Sequence, residues 1–232
     1  MKHAVKAAKI LSKFPYVKGL AISGSLSKNF ADENTDVDFF IITEANRLWI
    51  ARTLLQLFYK LAYIVGRRRW FCLNYYVDEQ GLEITEKNIF TAMEIVTLVP
   101  MQGATTLENF LRANNWTIDY FPLHRPITKG APEIRKGTFP KMIEQILNTK
   151  AGDKMDAWLM KITQRRWQKK MMRHKVNEKG IRIGMMVDRH FSKPDPANFQ
   201  NTIIGQYQGK LTQLMQMQNK NVKPVTIKLS QT

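Results

Sequence analysis

Apolar and polar positions alternate with different periods along this chain of 232 residues. Near the start, Ala4, Ala7, Ala8 and Leu11 recur at helical spacing, which predicts a short helix over residues 2–13. Lys18 to Ser23 is a brief apolar run that enters a Ser-Gly-Ser turn, read as a strand. Leu26 to Phe30 reads as a helical turn or two, and Ala31 to Thr35 as loop. Val37 to Thr43 is almost continuously apolar, with Phe39, Phe40, Ile41 and Ile42. Such a run predicts a strand covered on both faces. From 46 to 65 the pattern returns to a helix. Arg52, Gln56 and Lys60 break its apolar surface at every fourth position, which predicts one wet stripe and a core helix rather than a membrane span. Trp70 to Val77, rich in aromatic residues, predicts a third strand.

Beyond this point the chain reads as mainly helical. Residues 86–114 carry one apolar face made of Ala92, Ile95, Val96 and Val99, with a break at Pro100 and a second helical piece over 107–114. Residues 121–140 hold four prolines and two glycines and read as an extended connector. Helices are expected over 141–148, about 153–175 and 198–217. A turn-rich segment is expected over 180–200, and a loose tail over the last fifteen residues. The expected class is α/β (α+β): a small mixed sheet in residues 1–85, followed by a mostly helical region over 86–232.

Charge divides the chain differently. Residues 1–120 hold 14 Lys/Arg against 12 Asp/Glu, a balance of +2, whereas residues 121–232 hold 22 against 7, a balance of +15. A lopsided basic half favours a polyanionic partner: nucleic acid, nucleotide phosphates or an anionic membrane face. Gln164 to Lys170, with Arg173 and Lys175 beyond, sets cations and Trp167 around one helix, the composition of a nucleic-acid grip. The same pattern also describes a solvated basic helix with Trp167 on the core. Arg67 to Arg69 at the end of the central helix could touch a membrane surface, but no apolar leader or span is expected, and cytoplasmic residence is the expectation. The single Cys72 sits in an apolar run and reads as an inert buried thiol. His124, His174 and His190 read as exposed polar positions.

The chemistry concentrates in Ser23-Gly24-Ser25 and in Asp36-Val37-Asp38. Two acids two apart on a strand project from one face. Their repulsion is offset by a divalent cation, and hard oxygen donors suit Mg²⁺ or Mn²⁺ with further ligands from phosphate and water. Gly24 lets backbone approach a phosphate closely, Ser25 adds a hydroxyl at a helix start, and Lys28, one turn on, is within reach of a phosphate.

A Gly-Ser turn, about ten residues, and Asp-apolar-Asp leading into an apolar strand resembles the signature of the polymerase-beta-like nucleotidyltransferase superfamily. The resemblance covers about residues 17–80. Phe71 to Tyr75, Asn88 to Glu94, Val99-Pro100 and Asn114 to Trp116 are similar to uncharacterised bacterial proteins with that domain. It implies metal-dependent transfer of a nucleoside monophosphate from a nucleoside triphosphate to a hydroxyl of an unidentified acceptor. Asp36 and Asp38 would hold the metal, and Gly24, Ser25 and Lys28 the nucleotide. The superfamily carries a third carboxylate on a neighbouring strand. Here Cys72, Asn74, Tyr76 and Asp78 are expected on one strand face, with the amide of Asn74 at the acid's place. Asp78 is the expected catalytic substitute and Glu83 a further candidate. The amide also leaves room for an alternative: an inactive nucleotide- or nucleic-acid-binding module of the same fold.

Overall fold

The computed structural model describes residues 1–30, 36–64, 71–124, 130–176, 184–194 and 199–221. They divide into two compact units, Met1–Ala197 and Asn198–Thr232.

The first unit is built on a six-stranded sheet in the order β4-β1-β2-β3-β6-β5. Its centre is β1 (Val17–Ser23), β2 (Asp38–Thr43) and β3 (Cys72–Asp78). β1 runs antiparallel to β2, whereas β2 and β3 are parallel and joined through α3 (Leu48–Ile64). A parallel pair needs such a crossover, and it lays the helix on one face of the sheet. On that face α1 (Lys2–Leu11) buries Ala4, Ala7, Ala8 and Leu11 against Leu20, Ile22, Phe39, Ile41, Leu73 and Tyr76. On the opposite face α4 (Ile89–Val96) and α5 (Ala104–Ala113) bring Ile95, Leu107 and Phe110 to Ala21, Phe40, Ile42 and Val77. The alternation of β2 between these two clusters explains its unbroken apolar run.

Several expectations are corrected here. The helical stretch expected over 86–114 is two helices separated by an edge strand, β4 (Val99–Gln102), which pairs only with β1. Pro100 is tolerated there because an edge strand leaves one side unpaired. Within the segment expected to be turns lie β5 (Met185–Val187) and β6 (Phe191–Pro194), a hairpin that joins the sheet beside β3. The sheet therefore runs across the division expected between residues 85 and 86. Arg52 is not on a wet stripe. It is buried between the rings of Trp49 and Tyr76, with centroids 5.5 and 5.7 Å away, and its Nη2 lies 3.6 Å from the sulfur of Met185. The exposed side of α3 instead carries Leu57, Lys60, Leu61 and Ile64.

The helices α6 (Thr138–Leu147) and α7 (Lys150–Met172) are tied to the core by polar contacts. Glu144 accepts from the backbone N–H of Tyr16 at 2.6 Å, and Arg47 pairs with Asp153 at 2.5 Å. Asp156, buried, accepts from the N–H of Ile50 at 2.9 Å and so caps the start of α3. Burial pushes this carboxyl up to about 6, against the opposing pull of the Ile50 and Trp49 N–H groups and of Arg47. The short α2 (Gly24–Ser27) follows β1 directly. In the second unit α8 (Phe199–Asn221) is a single helix. The tail expected to be loose and the Arg67–Arg69 cluster lie outside the described residues. Among the described residues, no helix is long and apolar enough to cross a membrane.

Candidate active site

The end of β1 and the start of β2 are neighbours because the two strands are antiparallel: Ser23 is paired with Asp38. The chain then turns at Gly24 with φ of +69°, a conformation that costs any residue with a Cβ. The turn closes on the acid itself. A Cβ built on Gly24 would stand 2.3 Å from Oδ2 of Asp38 and 3.1 Å from its Cγ. The bend and the second acid of the Asp-Val-Asp motif are therefore one site. α2, only four residues long, contributes little helix dipole, so what the bend offers is close backbone approach.

Asp38 belongs to the face of β2 that carries Phe40 and Ile42, and lies at its edge. Asp36, exposed, precedes the strand, while Val37 between them is buried in the other layer. Burial holds the Asp38 carboxyl above the usual carboxylate range. The neighbouring charges of Asp36 and Glu94 push it further up, while the Cys72 thiol and Lys28 pull it down. On balance the charged form of this carboxylate is disfavoured, first by burial and then by its acidic neighbours, the electrostatic condition that a cation relieves.

Asn74 lies against Asp38: its Nδ2 donates to Asp38 Oδ1 at 2.5 Å, and its own Oδ1 accepts from the thiol of Cys72 at 3.2 Å. Burial, then Asp38 and Asp36, push that thiol up, so it is a neutral hydrogen-bond donor and not a nucleophile. An amide, not a carboxylate, is thus the β3 side chain that meets Asp38.

Asp78 is not part of this cluster, for two reasons. The pairing of β3 with β2 slips by one residue, from Phe39–Leu73 to Phe40–Tyr75, so Asn74 is an extra residue, a β-bulge. A one-residue slip reverses the side-chain faces. Leu73 and Tyr76 accordingly pack on the α1–α3 side, and Tyr75 and Val77 on the other. The face expected to be shared by Cys72, Asn74, Tyr76 and Asp78 is broken at Asn74. Asp78 is also paired with Thr43, five residues and about 17 Å along the strand from Asp38. There it is fully buried and fully engaged. It accepts from the N–H groups of Asn46, Gln80 and Gly81 at 2.9, 3.0 and 3.1 Å. The Nδ1 of His190 stands 3.0 and 3.1 Å from its two oxygens. His190 is thus a partner of Asp78 and not merely a surface residue.

Lys28 reaches toward the site from the end of α2, but its ammonium is held by Glu94 of α4 at 2.8 Å and by the carbonyl of Gly24 at 3.3 Å. Ser25 is half-buried on the same bend. Glu83 lies elsewhere, paired with Lys87 at 2.7 Å. The sequence reading missed Glu94, whose charge reaches both Lys28 and Asp38. A carboxylate on a helix far along the chain has no period-two relation to the strand acids, so no local pattern reveals it.

Among the described residues, no group of three or more His, Cys, Asp or Glu side chains is arranged to hold a metal ion. Asp36 and Asp38 alone are a donor set suited to a hard cation that arrives with phosphate and water as its other ligands.

Residues 5–94 match the family described as nucleotidyltransferase domain. The matched stretch holds Gly24, Asp36, Asp38 and Asn74 and closes on Glu94. The match is consistent with a polymerase-beta-like nucleotidyltransferase domain in this part of the chain. No curated protein and no solved structure matches the chain.

Proposed function

We propose that this nucleotidyltransferase domain transfers a nucleoside monophosphate from a nucleoside triphosphate to a hydroxyl of an acceptor, with Mg²⁺ or Mn²⁺ as cofactor. The observation that carries the reading is the closure of the Gly24 bend on the Asp38 carboxylate, with a would-be Cβ 2.3 Å from Oδ2. A polyphosphate resting on that bend lies beside two acids, Asp36 and Asp38, which would hold the divalent ion. When bound, the ion neutralises phosphate charge and polarises the phosphoryl centre. The residues themselves do three things. Gly24 and Ser25 seat the polyphosphate through backbone and hydroxyl donors. Glu94 holds Lys28 at the rim, ready to exchange its carboxylate for a phosphate oxygen. The Nδ2 of Asn74 donates to Oδ1 of Asp38, which fixes the rotamer of that acid and leaves its Oδ2 toward Gly24.

Asn74 accepts no proton, so activation of the acceptor hydroxyl falls to Asp38, Glu94 or water. That same amide supports a second reading: an inactive module of this fold that binds nucleotide or nucleic acid without turnover. Pyrophosphate release separates the two. Each of the four nucleoside triphosphates is incubated with Mg²⁺ or Mn²⁺, with a metabolite extract and total RNA as acceptors. Release by the wild type and its loss in Asp38→Asn, at an unchanged or higher melting temperature, is the expected result. Release by Asp38→Asn at the wild-type rate removes the mechanism, and nucleotide binding without release in any mixture favours the binding module.

A further inference from the structure

The basic half of the chain has one face that the transferase reading does not use. From Ala157 to Val176 there is no Asp or Glu, but there are Lys161, Arg165, Arg166, Lys169, Lys170, Arg173 and Lys175. Among the described residues, none of these cations is paired with a carboxylate. The inner side of α7 is fixed by the buried Gly152 and Asp156 and by Leu159 and Met160, which pack on the core. At 3.6 residues per turn the side opposite carries Lys154, Trp158, Lys161, Arg165 and Lys169, all exposed. Trp158 is 60% exposed in the middle of them. Trp167 is not available in this way, because it is half-buried and Lys170 Nζ lies over its ring at 4.5 Å.

The cations also crowd one another. Lys170 is held below the usual lysine range by burial and by the charges of Arg166, Lys175, Lys60 and Arg52. Such a field is left for an external anion to neutralise. One indole, with Met171 and Met172 exposed only at the far end of the helix, gives too little apolar surface to insert into a bilayer, but it offers the flat ring on which a base stacks between phosphate contacts.

We infer that the outer face of α7 binds single-stranded nucleic acid, with Lys161, Arg165 and Lys169 on phosphates and Trp158 stacked on a base. The face extends about 27 Å from Lys154 to Met172, at 1.5 Å per residue. This goes beyond the transfer reading and depends on neither metal nor nucleotide.

The test is fluorescence anisotropy of a labelled 20-nucleotide RNA or DNA strand with the full chain, in EDTA, from 50 to 200 mM salt. The triple variant Lys161→Gln/Arg165→Gln/Lys169→Gln should weaken binding at least tenfold and lower the salt slope by about 2. Trp158→Ala should weaken it about tenfold with the salt slope unchanged. A charge-matched control on α1 and the turn after it, Lys6→Gln/Lys9→Gln/Lys13→Gln, should bind as the wild type. Melting temperatures check that each variant is folded. The inference is overturned if neither strand binds at 50 mM salt, or if the α1 control loses as much as the α7 variant. It is equally overturned if Trp158→Ala binds as the wild type while base-free polyphosphate competes as well as RNA, or if phosphatidylserine vesicles are bound in preference to both strands.

Discussion

Asp38 and Asp78 stand at opposite ends of the same pair of parallel strands and have opposite fates. Asp78 has every oxygen engaged, by three backbone N–H groups and the His190 ring, and it joins β3, the following turn and the β5–β6 hairpin into one structure. Asp38 accepts from one side-chain amide, faces the negative charges of Asp36 and Glu94, and has its carboxyl raised by burial. The first carboxylate lowers the energy of the fold and the second raises it. Strain of the second kind persists where the surroundings over-determine it, and a ligand relieves it. The difference teaches that an acid at a strand end is read by what satisfies it, not by its sequence spacing.

The sharpest way to break this comparison is to remove each acid in turn. Asp78→Ala leaves three backbone N–H groups and a histidine without their buried acceptor, and should cost about 2–4 kcal/mol in urea unfolding. Asp38→Asn keeps an oxygen for the Asn74 amide and removes the repulsion, so it should unfold within about 1 kcal/mol of the wild type or later, while losing pyrophosphate release. A reversed order of these two stabilities would undo the contrast.

Gly24→Ala comes next. It places a Cβ on the Asp38 carboxylate at a φ of +69°. The expected cost is about 1–3 kcal/mol of stability, with pyrophosphate release reduced to about a hundredth or less because the acid is displaced. Wild-type release in this variant would separate the bend from the site.

Asn74→Asp sharpens the comparison by setting a third acid against Asp38. Like charges should lower the melting temperature in EDTA by about 2–4 °C, equivalent to about 1 kcal/mol for a chain of this size. Millimolar Mg²⁺ or Mn²⁺ should restore the loss. A drop that neither ion reverses would mean that no cation is held there.

The smallest effect belongs to Asp156, which resembles Asp78 in capping backbone and Asp38 in being raised by burial. Its folded pKa of about 6 lies above the unfolded value of about 3.9. The native state therefore keeps a proton that the unfolded state has released. The stability this confers is fully present below the unfolded value and is lost as pH rises toward and through 6. Asp156→Asn retains an oxygen for the Ile50 N–H, so thermal melts of the variant should lack the wild-type fall in stability between pH 4 and 6.

What was legible in the residues is local: the Gly24 bend and the two-faced run of β2 lie within one antiparallel pair. Asp36 precedes the strand on which it was expected, whereas period-two counting orders β2 from Asp38 onward and β3 up to Asn74. Counting fails there because a bulge adds one residue and reverses the faces, so Asp78 was placed beside Cys72 and Asn74 when it belongs to the other side. Arg52 misled for a related reason. Its spacing marks it as polar, but two aromatic rings and a methionine supplied by distant strands cover it. The same distance hid Glu94 and His190, which meet their partners through tertiary packing alone. The β5–β6 hairpin is three and four residues a side, too short for alternation to register against turn-forming neighbours.

Calorimetric titration of each nucleoside triphosphate into the chain with Mg²⁺ tests the central claim most directly. The wild type should bind at least one of them, only when the ion is present, and Asp38→Asn should bind none while unfolding normally. Equal binding by Asp38→Asn, or binding by the wild type that persists in EDTA, would contradict the assignment of Asp36, Asp38 and the Gly24 bend to a metal–triphosphate site.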